Sequence, residues 1–122
     1  MRIKSYKISN EDIDDIVCTA FEGGINYWCN KVTPVGKYLG EYASEQISRN
    51  GSLILHLIEP INGINEYELN KEKLIQGLTM YLENPYAPYE ITCGDCIDTC
   101  NVDADVADMI IQYALFKEIV LG

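Results

Sequence analysis

Apolar residues recur at helical spacing in three segments, and each segment follows a residue that favours a helix start. Ser9-Asn10-Glu11-Asp12 resembles a capping box, so a helix is predicted to begin there and to end at Gly23-Gly24. Asn70 and Asp103 precede two further helices, the first of which stops at Pro85. The predicted buried stripes are Ile13, Ile16, Val17, Ala20 and Phe21, then Leu74, Ile75, Leu78, Tyr81 and Leu82, then Val106, Ala107, Ile110, Ile111 and Ala114.

Two neighbouring segments have the pattern of strands. Residues 53–58 are apolar on both faces apart from His56, which indicates a strand covered on both sides, by helices or by a partner subunit. Residues 60–63 form a turn and residues 64–69 alternate between apolar and polar, so the pair is predicted to be an antiparallel hairpin.

The remaining segments carry weaker signals. Residues 2–8 and 118–121 are predicted as short strands, and residues 41–48 as a short helix closed by Asn50-Gly51. The aromatic and turn-rich stretch 25–40 has no clear assignment. Together the pattern predicts one α+β domain over residues 1–122, a small antiparallel sheet with a central hairpin packed against three to four helices.

Composition agrees with a folded domain. Of the 122 residues, 48% are hydrophobic and 23% are charged, which is ordinary for a globular protein and argues against disorder. The N-terminus lacks the apolar stretch of a signal peptide, and no apolar run approaches the roughly 20 residues that cross a bilayer. We therefore expect a soluble, cytoplasmic protein with no membrane partner, whose five cysteines stay reduced.

The charge is strongly negative and unevenly spread. A formal net charge of -10 disfavours direct binding of DNA or RNA through a basic face. Residues 74–116 contain no Lys or Arg, so that half is predicted to present a negative surface. Its acids are Glu83, Glu90, Asp95, Asp98, Asp103, Asp105 and Asp108.

Two clusters suggest metal binding, and each has a simpler interpretation. Cys93, Cys96 and Cys100 include one CxxC pair, but structural zinc sites commonly use two pairs, and a fourth ligand would have to come from distant residues. Free thiols are the favoured interpretation. The acids from Asp98 onward lack the glycine and the glutamate of a calcium loop, and Asp103 as a helix cap accounts for them. No metal or other cofactor is predicted.

Catalytic motifs are also missing. His56 is the single histidine and lies in the most apolar strand, where a partly buried, hydrogen-bonded structural role is expected. Asp14 and Asp15 fall on the predicted solvent face of their helix, and Gly23-Gly24 is too short for a phosphate loop. The sequence therefore favours a protein that binds a ligand without converting it.

Residues 21–31 form the strongest candidate for a ligand site, because aromatic rings, amides and a cation follow one another there. Such groups suit a stacked base or ribose, although a lone Trp in a small domain is more often a core residue. Arg49 is one of few cations able to meet a phosphate, or it pairs with Glu45 at helical spacing. The predicted ligand-binding set is Phe21, Asn26, Tyr27, Trp28, Lys31, Tyr42 and Arg49.

Three strings, FEGGINYWC, GEYASEQISRNG and MIIQYALFKEIV, resemble the Thoeris anti-defence family of small phage proteins. The resemblance implies a phage-encoded, non-catalytic sponge in the host bacterial cytosol that holds cyclic ADP-ribose isomers made by TIR-domain enzymes. It also implies a homo-oligomer, a dimer or higher, with the ligand near a subunit interface. The scarcity of cations in this chain is a departure, because a pyrophosphate calls for them.

A rival hypothesis draws on the cation-free half of the chain. An acidic decoy could cover a nucleic-acid-binding defence protein by mimicking phosphate charge. The two hypotheses assign opposite roles to charge, since a sponge needs its few cations at one place and a decoy needs its acids exposed.

Overall fold

The computed structural model describes residues 6–122, and within them the predicted α+β class is confirmed. Four α-helices accompany a three-stranded antiparallel sheet and a small two-stranded hairpin. None of the described helices has the length and apolar character needed to span a membrane. The helices are α1 Asn10–Thr19, α2 Ala43–Ser48, α3 Lys71–Glu83 and α4 Ala104–Phe116; the strands are β1 Cys29–Pro34, β2 Ser52–Ile61, β3 Ile64–Asn70, β4 Thr92–Cys93 and β5 Cys96–Ile97.

The three predicted helix starts are confirmed, because each is fixed by a local hydrogen bond. Ser9 and Asp12 form a reciprocal capping box at the start of α1, with both side chain to backbone distances at 3.0 Å. The Asn70 side chain accepts from the Lys73 N–H, and Asp103 plays the same part for α4. The helical path of α1 ends at Gly24 as predicted, but its last turn, Ala20–Gly24, is π-helical.

The sheet has the order β1-β2-β3, and the helices cover one face of it. Leu53, Leu55 and Leu57 of β2 are buried, whereas Ile58 is 51% exposed and Ile54 and His56 are partly exposed. Helices therefore supply the predicted cover on one face of β2 only, and cover of the other face by a partner subunit stays a prediction. Side chains alternate across a strand, and the helices that contact the sheet share the core of the leucine side.

The predicted hairpin is confirmed, and its turn has the backbone that the sequence demands. β2 pairs antiparallel with β3, and Asn62 and Gly63 both have positive φ, as in the turn that matches the twist of a hairpin. β1 fills the outer position beside β2, with a register shift between Cys29 and Lys31 and with Pro34 at its end. At the other outer strand, the Lys73 ammonium donates to the carbonyl of Glu68 at 2.9 Å.

The crossing of α3 over α4 depends on a glycine. A Cβ at Gly77 would lie 2.5 Å from the Ile110 carbonyl oxygen and 2.7 Å from the Ala114 nitrogen. Both atoms belong to the backbone of α4, so no rotamer change could make room. The two helices therefore approach at this point more closely than any residue with a side chain would allow.

Two predicted terminal strands have different outcomes. The strand expected at residues 2–8 lies mostly outside the described residues, within which Lys7 forms a single parallel bridge with Cys96. The strand expected at residues 118–121 is wrong. The Gln112 side chain binds this segment instead, accepting from the amides of Val120 and Leu121 and donating to the Leu121 carbonyl.

Candidate ligand-binding site

A cavity of about 180 Å³ lies between the π-helical turn and β1. Three of the seven predicted ligand residues, Phe21, Asn26 and Lys31, line it, together with Cys29 and Asn30. Pockets that enclose a whole drug-sized ligand have roughly 300–1,000 Å³. This cavity therefore suits one ring or head group, and the rest of a dinucleotide-sized ligand would extend beyond it.

The π-helical turn places these residues because of a close approach to α4. A Cβ at Gly24 would lie 2.8 Å from the Ala104 carbonyl oxygen, so the turn sits directly against the start of that helix. The Ile25 amide donates to the Ala20 carbonyl, five residues back, at 3.0 Å. This is the hydrogen bond of a π-helical turn, which is wider than an α-helical one. The chain then leaves toward β1 with Asn26 exposed at the cavity.

The lining offers an aromatic ring, amides and one cation. Lys31 and Asn30 are exposed, and among residues 6–122 the Lys31 ammonium forms no ion pair. Burial raises the pKa of the Cys29 thiol, which also donates to the Lys31 carbonyl, so the thiol stays neutral near pH 7. The arrangement can hold an anionic or polar ligand and lacks an activated nucleophile at Cys29.

Trp28 and Tyr27 belong to a different arrangement, centred on the buried carboxylate of Asp108. The Trp28 indole donates to Oδ1 of Asp108 at 2.7 Å, and the Tyr27 hydroxyl donates to Oδ2 at 2.5 Å. Trp28 is only 4% exposed and its ring lies against Phe116. Trp28 is thus a core residue, which contradicts its place in the predicted ligand set and agrees with the alternative given for it.

The Tyr27 hydroxyl is enclosed although about half of the residue is exposed, since Asp108, Gln112 and Leu121 all contact it. Burial, and then the hydrogen bond to Asp108, raise the pKa of Tyr27 to about 12. A tyrosine in an unfolded chain has a pKa near 10. Because the folded-state value is the higher one, the contribution of Tyr27 to stability is complete below about pH 10 and is lost between about pH 10 and 12.

We accordingly expect Tyr27→Phe to remove part of the alkaline loss of stability. Urea unfolding of the wild type and the variant, compared from about pH 9 to 11.5, measures it. The wild type should lose more free energy of unfolding over this window than Tyr27→Phe does. Tyr86→Phe, at a residue that is 90% exposed, is the matched control and should follow the wild type. Identical slopes for Tyr27→Phe and the wild type would contradict the argument.

Tyr42 and Arg49 lie at the two ends of α2 and do not line the cavity. Arg49 pairs with Glu45 at 2.8 Å and donates to the Leu39 carbonyl. The structure therefore shows the ion pair with Glu45 that was predicted as the alternative to a phosphate contact. Tyr42 is exposed. The predicted set therefore divides into three residues at the cavity, two on Asp108 and two on α2.

The loop before α2 exposes an apolar surface while its backbone is held firmly. Buried Gln46 accepts from the Leu39 amide at 2.8 Å and donates to the carbonyls of Lys37 and Ser52. The Gln46 amide and the bond from Arg49 to the Leu39 carbonyl together hold this segment, which we call the 35–42 loop. Its exposed apolar side chains are Val35, Tyr38, Leu39 and Tyr42.

His56 has the partly buried, hydrogen-bonded character expected of it. Its Nε2 lies 2.9 Å from the Thr33 hydroxyl and its Nδ1 lies 3.3 Å from Glu66. Hydroxyl, imidazole and carboxylate thus follow the order of a hydrolytic triad. The three residues lie on the open face of the sheet, and within residues 6–122 they line neither the cavity at Phe21 nor the one beside the end of α3.

Within residues 6–122, no three or more His, Cys, Asp or Glu side chains are grouped as a metal ion would require. Cys93 and Cys96 face each other across the β4–β5 hairpin, and all five thiols are free. Asp98 caps the 3₁₀ turn Thr99–Asn101 and Asp103 caps α4. Asp103 thus has the structural role predicted for it as an alternative to calcium binding, and Asp98 has a capping role that was not predicted from the sequence.

Sequence reasoning missed Asp108 and Gln112, which hold Tyr27, Trp28 and residues 120–121 in place. The only signal in the sequence is their spacing of four residues within a helix that is otherwise apolar on most sides. Buried polar groups need hydrogen-bond partners. Here the Gln112 side chain donates to the Asp108 carboxylate, and Gln112 also bonds to the backbone of residues 120–121.

No protein-family model, curated protein or solved structure matches this chain.

Proposed function

We propose that this chain is a non-catalytic binding protein that sequesters a nucleotide of the cyclic ADP-ribose type. The observation that carries the proposal is the meeting of Phe21, Asn26 and Lys31 around one cavity. An aromatic ring can stack on a base, amides can bind its edge or the ribose hydroxyls, and the ammonium can meet a phosphate. The resemblance to the Thoeris anti-defence family supplies the setting, a phage protein that intercepts the signal of bacterial TIR-based immunity.

The small volume of the cavity supports an oligomer as part of the same proposal. A cavity of about 180 Å³ holds one ring, so a cyclic dinucleotide-sized ligand needs further surface. A second copy of the chain would supply it, together with a second Lys31 to offset the pyrophosphate charge. The exposed apolar side chains of the 35–42 loop are a surface that such a copy could cover.

The acidic-decoy alternative has weaker support. Three of the seven acids in residues 74–116 have structural roles, since Asp98 and Asp103 cap helices and Asp108 is buried on Trp28. Fewer acids, such as the exposed Glu83 and Glu90, therefore remain to imitate the charge of a phosphate backbone than the sequence suggests.

The deciding experiment is incubation with a cyclic ADP-ribose isomer, filtration, and heat denaturation of the retained protein. Depletion from the filtrate and release of intact ligand are the expected results. Release of a linear product would identify an enzyme. Failure to deplete the ligand would reject the sponge, and the decoy would then be tested by salt-sensitive association with a basic nuclease.

Variants of exposed cations test the site itself. Lys31→Glu should weaken binding about tenfold or more, because a hydrogen bond to a charged group contributes roughly 1.5–3 kcal/mol. Lys37→Glu makes the same charge change on the exposed 35–42 loop, outside the cavity, and should change the dissociation constant by less than about twofold. Equal losses for the two variants would mean that net charge, and not this cavity, governs binding.

A further inference from the structure

A second cavity, of about 240 Å³, lies in the acidic half of the chain, beside the end of α3 and the loop 84–92. Three tyrosines line it, Tyr6, Tyr81 and Tyr89, together with the carboxylate residue Glu90. Among residues 6–122, none of those that line it is Lys or Arg. It shares no residue with the Phe21 cavity, so the two are separate places on the molecule.

The wall of this cavity is held in place by the chain's own hydrogen bonds. The buried Tyr81 hydroxyl donates to the Tyr89 carbonyl at 2.7 Å and accepts from the Tyr89 amide at 3.3 Å. Asn84 holds the other end of the loop, since its side chain accepts from the Tyr86 amide and donates to the Tyr113 hydroxyl. A ligand would therefore meet a preformed wall and would not have to order the loop.

The electrostatic surroundings of the cavity favour a positive ligand. Glu90 is exposed at the cavity, and the segment 74–116, which supplies all of the described lining except Tyr6, contains no Lys or Arg. Burial chiefly, with the negative charge of Asp103 as a further cause, raises the pKa of Tyr81. Of these two causes only the negative charge of Asp103 favours a bound cation, because burial disfavours charges of either sign.

The lining also indicates which kind of cation fits. Magnesium and calcium require six or more oxygen ligands, several of them commonly carboxylates, whereas the described lining contains three tyrosines and a single carboxylate. Tyrosine rings attract cations through their negative faces, and rings arranged around a cavity are the usual means of recognising ammonium groups. The volume is below that of a drug-sized pocket, which restricts the ligand to a small head group.

We propose that the cavity lined by Tyr6, Tyr81, Tyr89 and Glu90 binds a small organic ammonium ion. Its ligand is opposite in charge to the nucleotide proposed for the Phe21 cavity, and the two sites can be tested separately. The chain would then carry two ligand sites that differ in charge preference, despite its small size.

The test compares choline with its neutral isostere, in which carbon replaces the quaternary nitrogen. Titration at low salt, followed by protein-to-ligand saturation transfer in NMR, should give saturable binding of choline. The isostere, which has the same shape without the charge, should bind about tenfold more weakly or worse. Equal binding of the two compounds would show that the cavity recognises shape and not positive charge, and it would overturn the proposal. Absence of saturable choline binding would overturn it as well.

Paired substitutions locate the binding. Glu90→Gln and Tyr89→Leu should each weaken choline binding several-fold, and neither residue uses its side chain in the hydrogen bonds to Tyr81. Glu83→Gln and Tyr86→Leu make the same chemical changes at exposed residues outside the lining and should leave binding unaltered. Equal weakening by all four variants would show general attraction to an acidic surface and would also overturn the proposal.

Discussion

Replacing Asp108 with alanine should destabilise the fold by about 3–4 kcal/mol. The carboxylate is buried and accepts hydrogen bonds from Trp28, Tyr27 and Gln112. Tyr27 and Gln112 have a second acceptor in the Leu121 carbonyl, but the Trp28 indole has Asp108 alone. Leaving a buried donor without a partner costs about 1–3 kcal/mol, and the lost bonds to a charged acceptor add to that. Urea unfolding measures the difference.

Asp105→Ala is the matched control for this variant. Asp105 lies in the first turn of the same helix, three residues before Asp108, and is exposed. Its loss removes a favourable charge at the helix start, worth about 0.3–1 kcal/mol. If both alanine variants unfolded with the same change in free energy, Asp108 would be acting through helix charge alone and the hydrogen-bonded cluster would contribute nothing measurable.

Gly77→Ala should cost about 3 kcal/mol, although alanine is the better helix former. The new methyl group would lie 2.5 Å from the Ile110 carbonyl oxygen, so α3 and α4 would have to separate. Overpacking of this kind costs typically 1–3 kcal/mol and sometimes more, whereas the gain in helix propensity is about 1 kcal/mol. Because the obstruction is backbone, the cost of overpacking should exceed this usual range. It should leave a net loss of about 3 kcal/mol, visible as a fall in Tm of roughly 10 °C.

Gly23→Ala provides the comparison within the same chain. Gly23 lies in the π-helical turn, and a Cβ there would meet nothing within 4 Å. The substitution should therefore be neutral or slightly stabilising, by up to about 1 kcal/mol. If the Gly77→Ala protein had the same Tm as Gly23→Ala and the wild type, the crossing of α3 and α4 would tolerate the added methyl group.

Much of the fold could be predicted because its signals are local. Ser9, Asn70 and Asp103 each bond to an amide three residues onward, so a few letters of sequence suffice to place three helix starts. The hairpin is equally local, since Asn62-Gly63 has the positive φ angles that its turn needs. β1 escaped prediction because its pairing partners are distant in sequence, from Pro34 with Leu53 to Cys29 with Leu57, and a bulge at Cys29 to Lys31 breaks its alternation.

The candidate site was predictable to the same extent and for the same reason. Phe21, Asn26 and Lys31 come together because one helix end and one strand carry them. Arg49 lies elsewhere because the position of α2 depends on packing that no short pattern encodes. The hydrogen bond from Trp28 to Asp108 joins residues 80 positions apart, and no local sequence pattern at either residue predicts it.

The apolar residues on both faces of segment 53–58 predict cover on both sides, and the helices supply it on one side only. Cover of the other side by a partner subunit stays a prediction. Alternation along β2 places Leu57 in the core and Ile58 on the open face, where the chain leaves it 51% exposed. An apolar residue in a strand predicts burial only if both faces are packed, and here the helices occupy one. Composition alone could not distinguish these cases.

The outer strands of the sheet limit how copies of this chain can associate. On β1 a bulge and Pro34 interrupt the row of backbone groups, and beside β3 the Lys73 ammonium already occupies the Glu68 carbonyl. Edge-to-edge extension of the sheet into fibres is disfavoured on both sides. Under the proposed oligomer, copies would therefore associate through side-chain surfaces such as the 35–42 loop and not through the backbone of an outer strand.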